Sequence, residues 1–216
     1  MRIVALVPIK LNSQRLPHKN ILPLMGKPLC WHVCNTLSLS KYIDQVYIYC
    51  SDVEIKKYIP ETVTFLERPN YLDGNTVKGL EIYKSFTEKI DADIYVLAHT
   101  TSPFIKTDTI DNALEKVLSK KYDSAFSARR IQTFCWFNDQ PINYSLTDIP
   151  RTQDIKPVFE ETSAFFIFRK DVIEKNRRIG FSPYISEIDS IEAVDIDTKE
   201  DYDFARLIAN SIHLTR

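Results

Sequence analysis

Two groups of side chains in this sequence have the types and spacing to handle a phosphorylated ligand. The first is the stretch VPIKLNSQRLPHKN, Val7 to Asn20, where Lys10, Arg15 and Lys19 are set among Asn12, Ser13, Gln14 and Asn20. Cations fixed on a loop can hold a triphosphate by neutralising its oxygens. The second is Asp195 and Asp197 in VDID, 194–197. On an extended strand that spacing sends both carboxylates to one face. Hard oxygen ligands suit Mg²⁺, with Mn²⁺ as a substitute, held jointly with substrate phosphates. Plainer readings stand beside these. The loop is then a solvated basic segment, Ser13 and Asn20 stabilise its turn, and the aspartates decorate a strand end. The loop has neither the G-x-x-x-x-G-K-[ST] of a Walker A motif nor the G-x-G-x-x-G of a dinucleotide fold.

The elements that must position these groups alternate along the chain. Strand-forming runs occur at 3–7, 46–50, 63–66, 94–98, 124–128, 164–168 and 191–196. Several are apolar throughout, as strands covered on both faces are. Between them lie helical stripes: Cys30, Val33, Cys34 and Leu37; Ile110, Ala113, Leu114, Val117 and Leu118; and Tyr202, Ala205, Ile208, Ala209 and Ile212. Ser51 with Glu54, and Thr198 with Asp201, read as capping boxes. The alternation predicts an α/β fold, a mostly parallel sheet with helices on both faces, as one domain over 1–216. The segment 132–156, with Trp136, Asn138, Pro141 and Pro150, lacks periodicity and reads as an arm or subunit contact.

A net charge of −1 over 216 residues leaves no global field to attract nucleic acid or an anionic membrane. No apolar run approaches ~20 residues, so no segment reads as a membrane span, and MRIVALVPIK reads as a first strand, not a signal peptide. Cys30 and Cys34 are one helical turn apart without a second pair to complete a metal site. They read as buried thiols of a cytoplasmic protein.

The segment PIKLNSQRLPHKN resembles the N-terminal signature of cytidylyltransferases that activate acidic sugars. It carries Ser13, Leu16, Pro17, Lys19 and Asn20 as the N-acylneuraminate (CMP-sialic acid synthetase) group does, and the Arg15-Leu16-Pro17 run of the Kdo group. GKPL at 26–29, ERP at 67–69, TSPF at 101–104, RTQDIKPVF at 151–159 and VDIDTKEDY at 194–202 follow in the order of the sialate family. The resemblance implies a Rossmann-like (GT-A-like) nucleotidyltransferase sheet with a small dimerisation arm, hence a homodimer. It implies transfer of CMP from CTP to a small acidic acceptor, with loss of pyrophosphate. Lys19 is then expected at the α-phosphate, with Lys10 and Arg15 on the outer phosphates. Asn12, Ser13, Gln14, Asn20, Arg68, His99, Ser102, Arg151 and Gln153 become substrate contacts, and Asp195 and Asp197 the metal ligands. Residue by residue, Arg68 otherwise reads as a surface cation, His99 as structural, and Arg151 and Gln153 as loop positions.

Three positions depart from the pattern. Lys10 replaces an arginine and loses its bidentate fork. TSPFIK places its cation, Lys106, one residue late, and ETSA at 161–164 replaces an Asn-Gly. The nucleotide half is kept better than the acceptor half. The implied acceptor is a sialic-type or other nonulosonic sugar acid, feeding bacterial capsule or lipopolysaccharide. The alternatives are a phosphorylated small metabolite giving a CDP-linked product, and a nucleotide-binding protein without catalysis.

Overall fold

In the computed structural model the described residues are 1–214. Eleven strands and five α-helices follow in chain order: β1 (Ile3–Pro8), β2 (Pro23–Leu24), β3 (Lys27–Pro28), α1 (Leu29–Ser38), β4 (Gln45–Cys50), β5 (Thr64–Glu67), α2 (Gly79–Lys89), β6 (Ile94–Ala98), α3 (Thr107–Leu118), β7 (Ser124–Ile131), β8 (Trp136–Phe137), β9 (Gln140–Pro141), β10 (Val158–Arg169), α4 (Lys170–Glu174), β11 (Pro183–Glu187) and α5 (Lys199–Leu214). Seven strands form one sheet in the order β11-β7-β10-β6-β1-β4-β5. Only β10 runs against its neighbours, pairing antiparallel with both β6 and β7. No helix among the described residues is long and apolar enough to cross a membrane.

The unbroken apolar runs mark strands buried on both faces. In β1, Ile3, Ala5 and Val7 pack into one core with the stripes of α1 and α3. Val4 and Leu6 pack into the other, against Tyr83 and Phe86 of α2 and Val172 of α4. Phe86 is the hub of that second core, with edge contacts to Tyr47, Tyr49 and Tyr95 at 5.6–6.3 Å between ring centres, the arrangement aromatic quadrupoles favour. A third cluster joins α5 to the opening loop through Leu16, Leu24, Leu29, Ile196, Tyr202 and Ala205. The Tyr202 hydroxyl donates to the Pro23 carbonyl at 2.5 Å. This cluster brings the two chemical groups, some 180 residues apart, onto one edge of the sheet.

Local expectations differ from the structure in three places. The run 191–196 is not a strand. It is a turn followed by an extended segment, tied to the chain just past the end of β6 by Ile196 N–H donating to the Thr101 carbonyl at 2.8 Å. Val194 and Ile196 are buried while Asp195 is exposed, so the alternation reports burial and not pairing. The seventh strand is β11 instead, an edge strand paired parallel to β7 whose half-exposed residues carry little apolar signal. The 3₁₀ turn Val53–Tyr58 is capped by Asp52, whose carboxylate accepts from Glu54 N–H at 2.9 Å. Ser51, the expected cap, donates to Asp73. The Thr198–Asp201 box forms as expected, with Thr198 N–H to Asp201 at 2.8 Å and Asp201 N–H to Thr198 Oγ1 at 3.2 Å.

The segment 132–156 is an excursion from the sheet, built on the two-residue hairpin β8–β9. Trp136, Phe137, Ile142, Leu146 and Ile149 are exposed, whereas Phe134 is half-buried against Tyr144, ring centres 4.7 Å apart.

Candidate active site

The opening loop is held rigid without glycine. Asn20, 7% exposed, bridges two elements: its amide nitrogen donates to the Lys10 carbonyl at 2.8 Å, and its oxygen accepts from the Thr100 hydroxyl at 2.5 Å. Leu16 is buried in the α5 cluster. His18 takes a left-handed conformation, φ 55°, as the chain enters the short turn Lys19–Ile21. With Leu16 and Asn20 as anchors, the polar residues between face the carboxyl edge of the sheet, where open α/β sheets place their ligands.

A groove runs along that edge in three adjoining compartments. The outer one, about 930 Å³, lies between the loop (Lys10, Asn12, Gln14) and the segments after β4 and β5 (Ser51, Lys56, Glu67, Asn75). The middle one, about 430 Å³, is walled by Ser13, Gln14, Arg15, Lys19, Arg68 and Tyr83. The inner one, about 360 Å³, contains Lys19, Asn20, Thr100, Arg178, Asp195 and Asp197. Lys10 borders all three, and His99 borders the middle and inner ones.

Cations and carboxylates meet in the inner compartment. Lys19 Nζ donates to Asp197 Oδ1 at 2.8 Å, and Arg15 Nη1 reaches Asp197 Oδ2 at 2.8 Å. The Lys19 side chain is 12% exposed, that of Arg15 68%. Lys19 is therefore the preorganised member and Arg15 the solvent-exposed one. Arg68 is almost wholly buried, and its Nε and Nη2 both donate to Asp73 Oδ1, at 3.1 and 2.5 Å. Ser51 holds the other oxygen of Asp73. Arg68 thus braces the wall between the outer and middle compartments more than it projects into either.

His99 is set by the irregularity in β10. The pairing of β10 with β7 shifts register between Glu161 and Phe166, across the ETSA segment. There Thr162 Oγ1 donates to Ser127 Oγ at 2.8 Å, and Ser127 Oγ accepts from Phe165 N–H at 3.1 Å. Thr162 and Ser127 satisfy backbone groups that the bulge leaves unpaired, which stabilises the Thr-Ser pair at this irregularity. The bulge aims the Ser163 carbonyl at His99 Nδ1, 2.6 Å away. The Nδ1–H donates there, so Nε2 carries the lone pair, 3.5 Å from the Tyr83 hydroxyl. Burial lowers the pKa of His99 below the usual histidine value, so the ring is neutral at physiological pH. Burial also raises the Tyr83 phenol, an effect that the neighbouring Arg178 guanidinium partly offsets.

Of the residues singled out from sequence, Lys10, Asn12, Ser13, Gln14, Arg15, Lys19, Asn20, Arg68, His99, Asp195 and Asp197 converge on the groove. Ser102, Arg151 and Gln153 do not line it. Ser102, 1% exposed, is tucked under the turn after β6, its N–H bonded to the His99 carbonyl. Arg151 and Gln153 are exposed at the base of the arm, where Arg151 pairs with Asp154 at 2.6 Å. Lys106 is taken by Asp189 and Glu192, at 2.8 and 3.2 Å. Tyr83 and Arg178 were missed. Tyr83 sits in the apolar stripe of α2 and reads as core, and Arg178 belongs to no motif.

Among the described residues no three carboxylate, histidine or cysteine side chains gather as a self-sufficient metal cage. The pair Asp195 and Asp197, beside a cation-lined groove, fits an ion that takes its other ligands from phosphate and water. Asp197 already draws two cationic side chains onto its two oxygens.

A family model described as cytidylyltransferase matches residues 4–212. The N-acylneuraminate cytidylyltransferase of Streptococcus agalactiae serotype V is 25% identical over 214 residues, covering 94% of this chain and 52% of that protein. The chain thus spans about half the length of such curated relatives. The pseudaminic acid cytidylyltransferase of Campylobacter jejuni is 22% identical and is matched over 98% of its length. The solved CMP:2-keto-3-deoxy-manno-octonic acid synthetase complexed with CTP superposes with a TM-score of 0.75 at 16% identity, covering 98% of this chain and 99% of that one. The 4-diphosphocytidyl-2C-methyl-D-erythritol synthase of Anaerococcus prevotii gives 0.66 at 12% identity, over 100% and 96%. These structures share the sheet and its flanking helices. With the family model spanning nearly the whole chain and the opening-loop cations facing the aspartate pair across one groove, this chain belongs to the cytidylyltransferase family.

Proposed function

We propose that this chain transfers CMP from CTP to a small acidic acceptor, a sialic-type or other nonulosonic sugar acid. The observation that carries the reading is the groove, where Lys10, Arg15 and Lys19 face Asp195 and Asp197. The acceptor hydroxyl oxygen attacks the α-phosphorus and gives up its proton to solvent, the bond to the β-phosphate oxygen breaks, and pyrophosphate leaves. Such a transfer relies on positioning and charge neutralisation. Lys19, held rigid at the junction of middle and inner compartments, suits the α-phosphate. Lys10 and Arg15 suit the outer phosphates. Asp195 and Asp197 would hold Mg²⁺, which supplies further neutralisation of phosphate charge when bound. CTP as substrate and three buried free thiols fit a cytoplasmic setting. The product would be an activated precursor for bacterial capsule or lipopolysaccharide.

CTP with Mg²⁺ at about 100 times its Kd should stabilise the fold by about 2.7 kcal/mol. That corresponds to a Tm rise of roughly 5–10 °C for a chain of this size. ATP and GTP should give much less, and equal protection by either removes the cytidine assignment. Pyrophosphate release with a panel of sugar acids and phosphorylated metabolites then separates the acceptors. Release with a phosphorylated metabolite alone installs a CDP-linked product. CTP protection without release by any acceptor leaves nucleotide binding alone.

The arm offers a second expectation. Exposed Trp136, Phe137, Ile142, Leu146 and Ile149 form an apolar surface that a second copy of the chain would cover. Light scattering at micromolar concentration should give twice the chain mass, and Trp136→Asp with Phe137→Asp should give the monomer. A wild-type monomer under those conditions removes the homodimer.

A further inference from the structure

The inner compartment holds a cation, Arg178, that lies outside the opening loop. Beyond Lys19 its walls are Tyr83, His99, Ser163 and Arg178, with Asp195 and Asp197 opposite. An acidic acceptor placed here brings an anion beside two carboxylates, in a space where the opening-loop cations are engaged by phosphate. Binding an anion there without a further positive charge would cost free energy.

Arg178 is fixed for that purpose by its own loop. After α4 the chain reverses at Asn176, φ 60°, and Arg177 N–H donates back to the Val172 carbonyl at 3.2 Å. The turn lays the Arg178 guanidinium 4.1 Å above the Phe166 ring. The ring supports the flat face of the cation and leaves its edge of N–H donors free to point sideways. One donor, Nη2, goes to Glu161 Oε1 at 2.5 Å. The side chain is 39% exposed and lines the compartment. A guanidinium has five donors, so its contacts with Glu161 and with the Tyr83 hydroxyl leave further donors for an incoming oxyanion. The nearby Arg129 is less suited: its Nε and Nη2 both go to Glu160 Oε2, at 2.7 and 2.6 Å, and it borders only a side pocket of about 170 Å³.

We infer that Arg178 binds the acid group of the acceptor, taking it bidentate from the edge of the guanidinium while Phe166 and Glu161 hold the other sides. It acts as a specificity-determining residue and not as part of the phosphate machinery. The inference rests on the proposed CMP transfer and names where its acceptor is recognised. The shared chemistry is an oxyanion, a carboxylate in a sugar acid or a phosphate in a phosphorylated metabolite. A carboxylate matches the planar fork more closely.

The test compares wild type with Arg178→Gln and Arg178→Lys. Each is titrated with CTP by thermal shift, and with acceptors by calorimetry and by pyrophosphate release. Arg178→Gln should raise the acceptor KM between about tenfold and a hundredfold, the range for losing hydrogen bonds to a charged group. The CTP-induced Tm shift should be unchanged. Arg178→Lys should recover part of the loss with a phosphorylated acceptor and little with a sugar acid, because lysine keeps the charge and loses the fork. An acceptor whose acid group is replaced by an amide should bind wild type and Arg178→Gln equally. A KM change below twofold overturns the inference, as does an amide analogue that still discriminates the two proteins. If wild type releases no pyrophosphate with any acceptor, the transfer reading falls while acid binding is still measured by calorimetry. Loss of that binding in Arg178→Gln supports the site, and absence of acid binding in wild type refutes it.

Discussion

Replacing Asp197 by asparagine should lower pyrophosphate release from CTP by about two to three orders of magnitude, the scale for removing one preorganised electrostatic group. The fold should survive. The α5 cap is built by Thr198 and Asp201, and Asp197 contributes to it only its backbone N–H, 3.0 Å from Asp201 Oδ2. Ile196 remains buried and tied to Thr101. What is lost is charge at the point where Lys19 and Arg15 converge. Asparagine keeps one oxygen acceptor but no negative charge, so it neither balances the two cations nor binds a hard divalent ion well. The apparent Mg²⁺ requirement should move to higher concentration, and Asp195→Asn should act in the same direction. Near-normal release by both variants at every Mg²⁺ concentration would assign metal binding elsewhere in the groove.

Lys19→Ala should cost about 3–4 kcal/mol of transition-state stabilisation, roughly a hundredfold to a thousandfold in kcat. Lys19 is suited to act on the transition state because its side chain is largely buried and directed by Asp197. Its ammonium therefore needs little reorganisation as charge builds on the phosphate. Lys10 borders all three compartments, so Lys10→Ala should chiefly raise the KM for CTP. This kcat-against-KM split is the measurement, and Lys19→Ala kinetics like those of a surface substitution would reject the assignment. Combined with Asp197→Asn, the loss should fall short of additive, since both changes dismantle one ion pair.

The sheet interior was legible because β1, β4 and β6 are buried on both faces, which demands unbroken apolar runs that few other structures tolerate. The opening loop and the aspartate pair were legible because residue type and local spacing carried them. The strand expected at 191–196 shows the limit of that reasoning. Val194 and Ile196 alternate with Asp195 and Asp197 because α5 and the loop bury one side, and a period of two cannot say whether a neighbouring strand is present. β11 escaped notice for the converse reason, since an edge strand needs few apolar residues. The rest of the inner compartment, beyond Lys19, Asn20, Asp195, Asp197 and the motif-placed His99, was decided by tertiary structure. Tyr83, His99, Ser163 and Arg178 come from four separate elements, and the β10 bulge, the Asn176 turn and the Phe166 ring bring them together. Ser102 and Arg151 matched a motif yet fell outside the groove. A motif reports which residues lie near a site in sequence, whereas the direction of a side chain follows from packing across the whole chain.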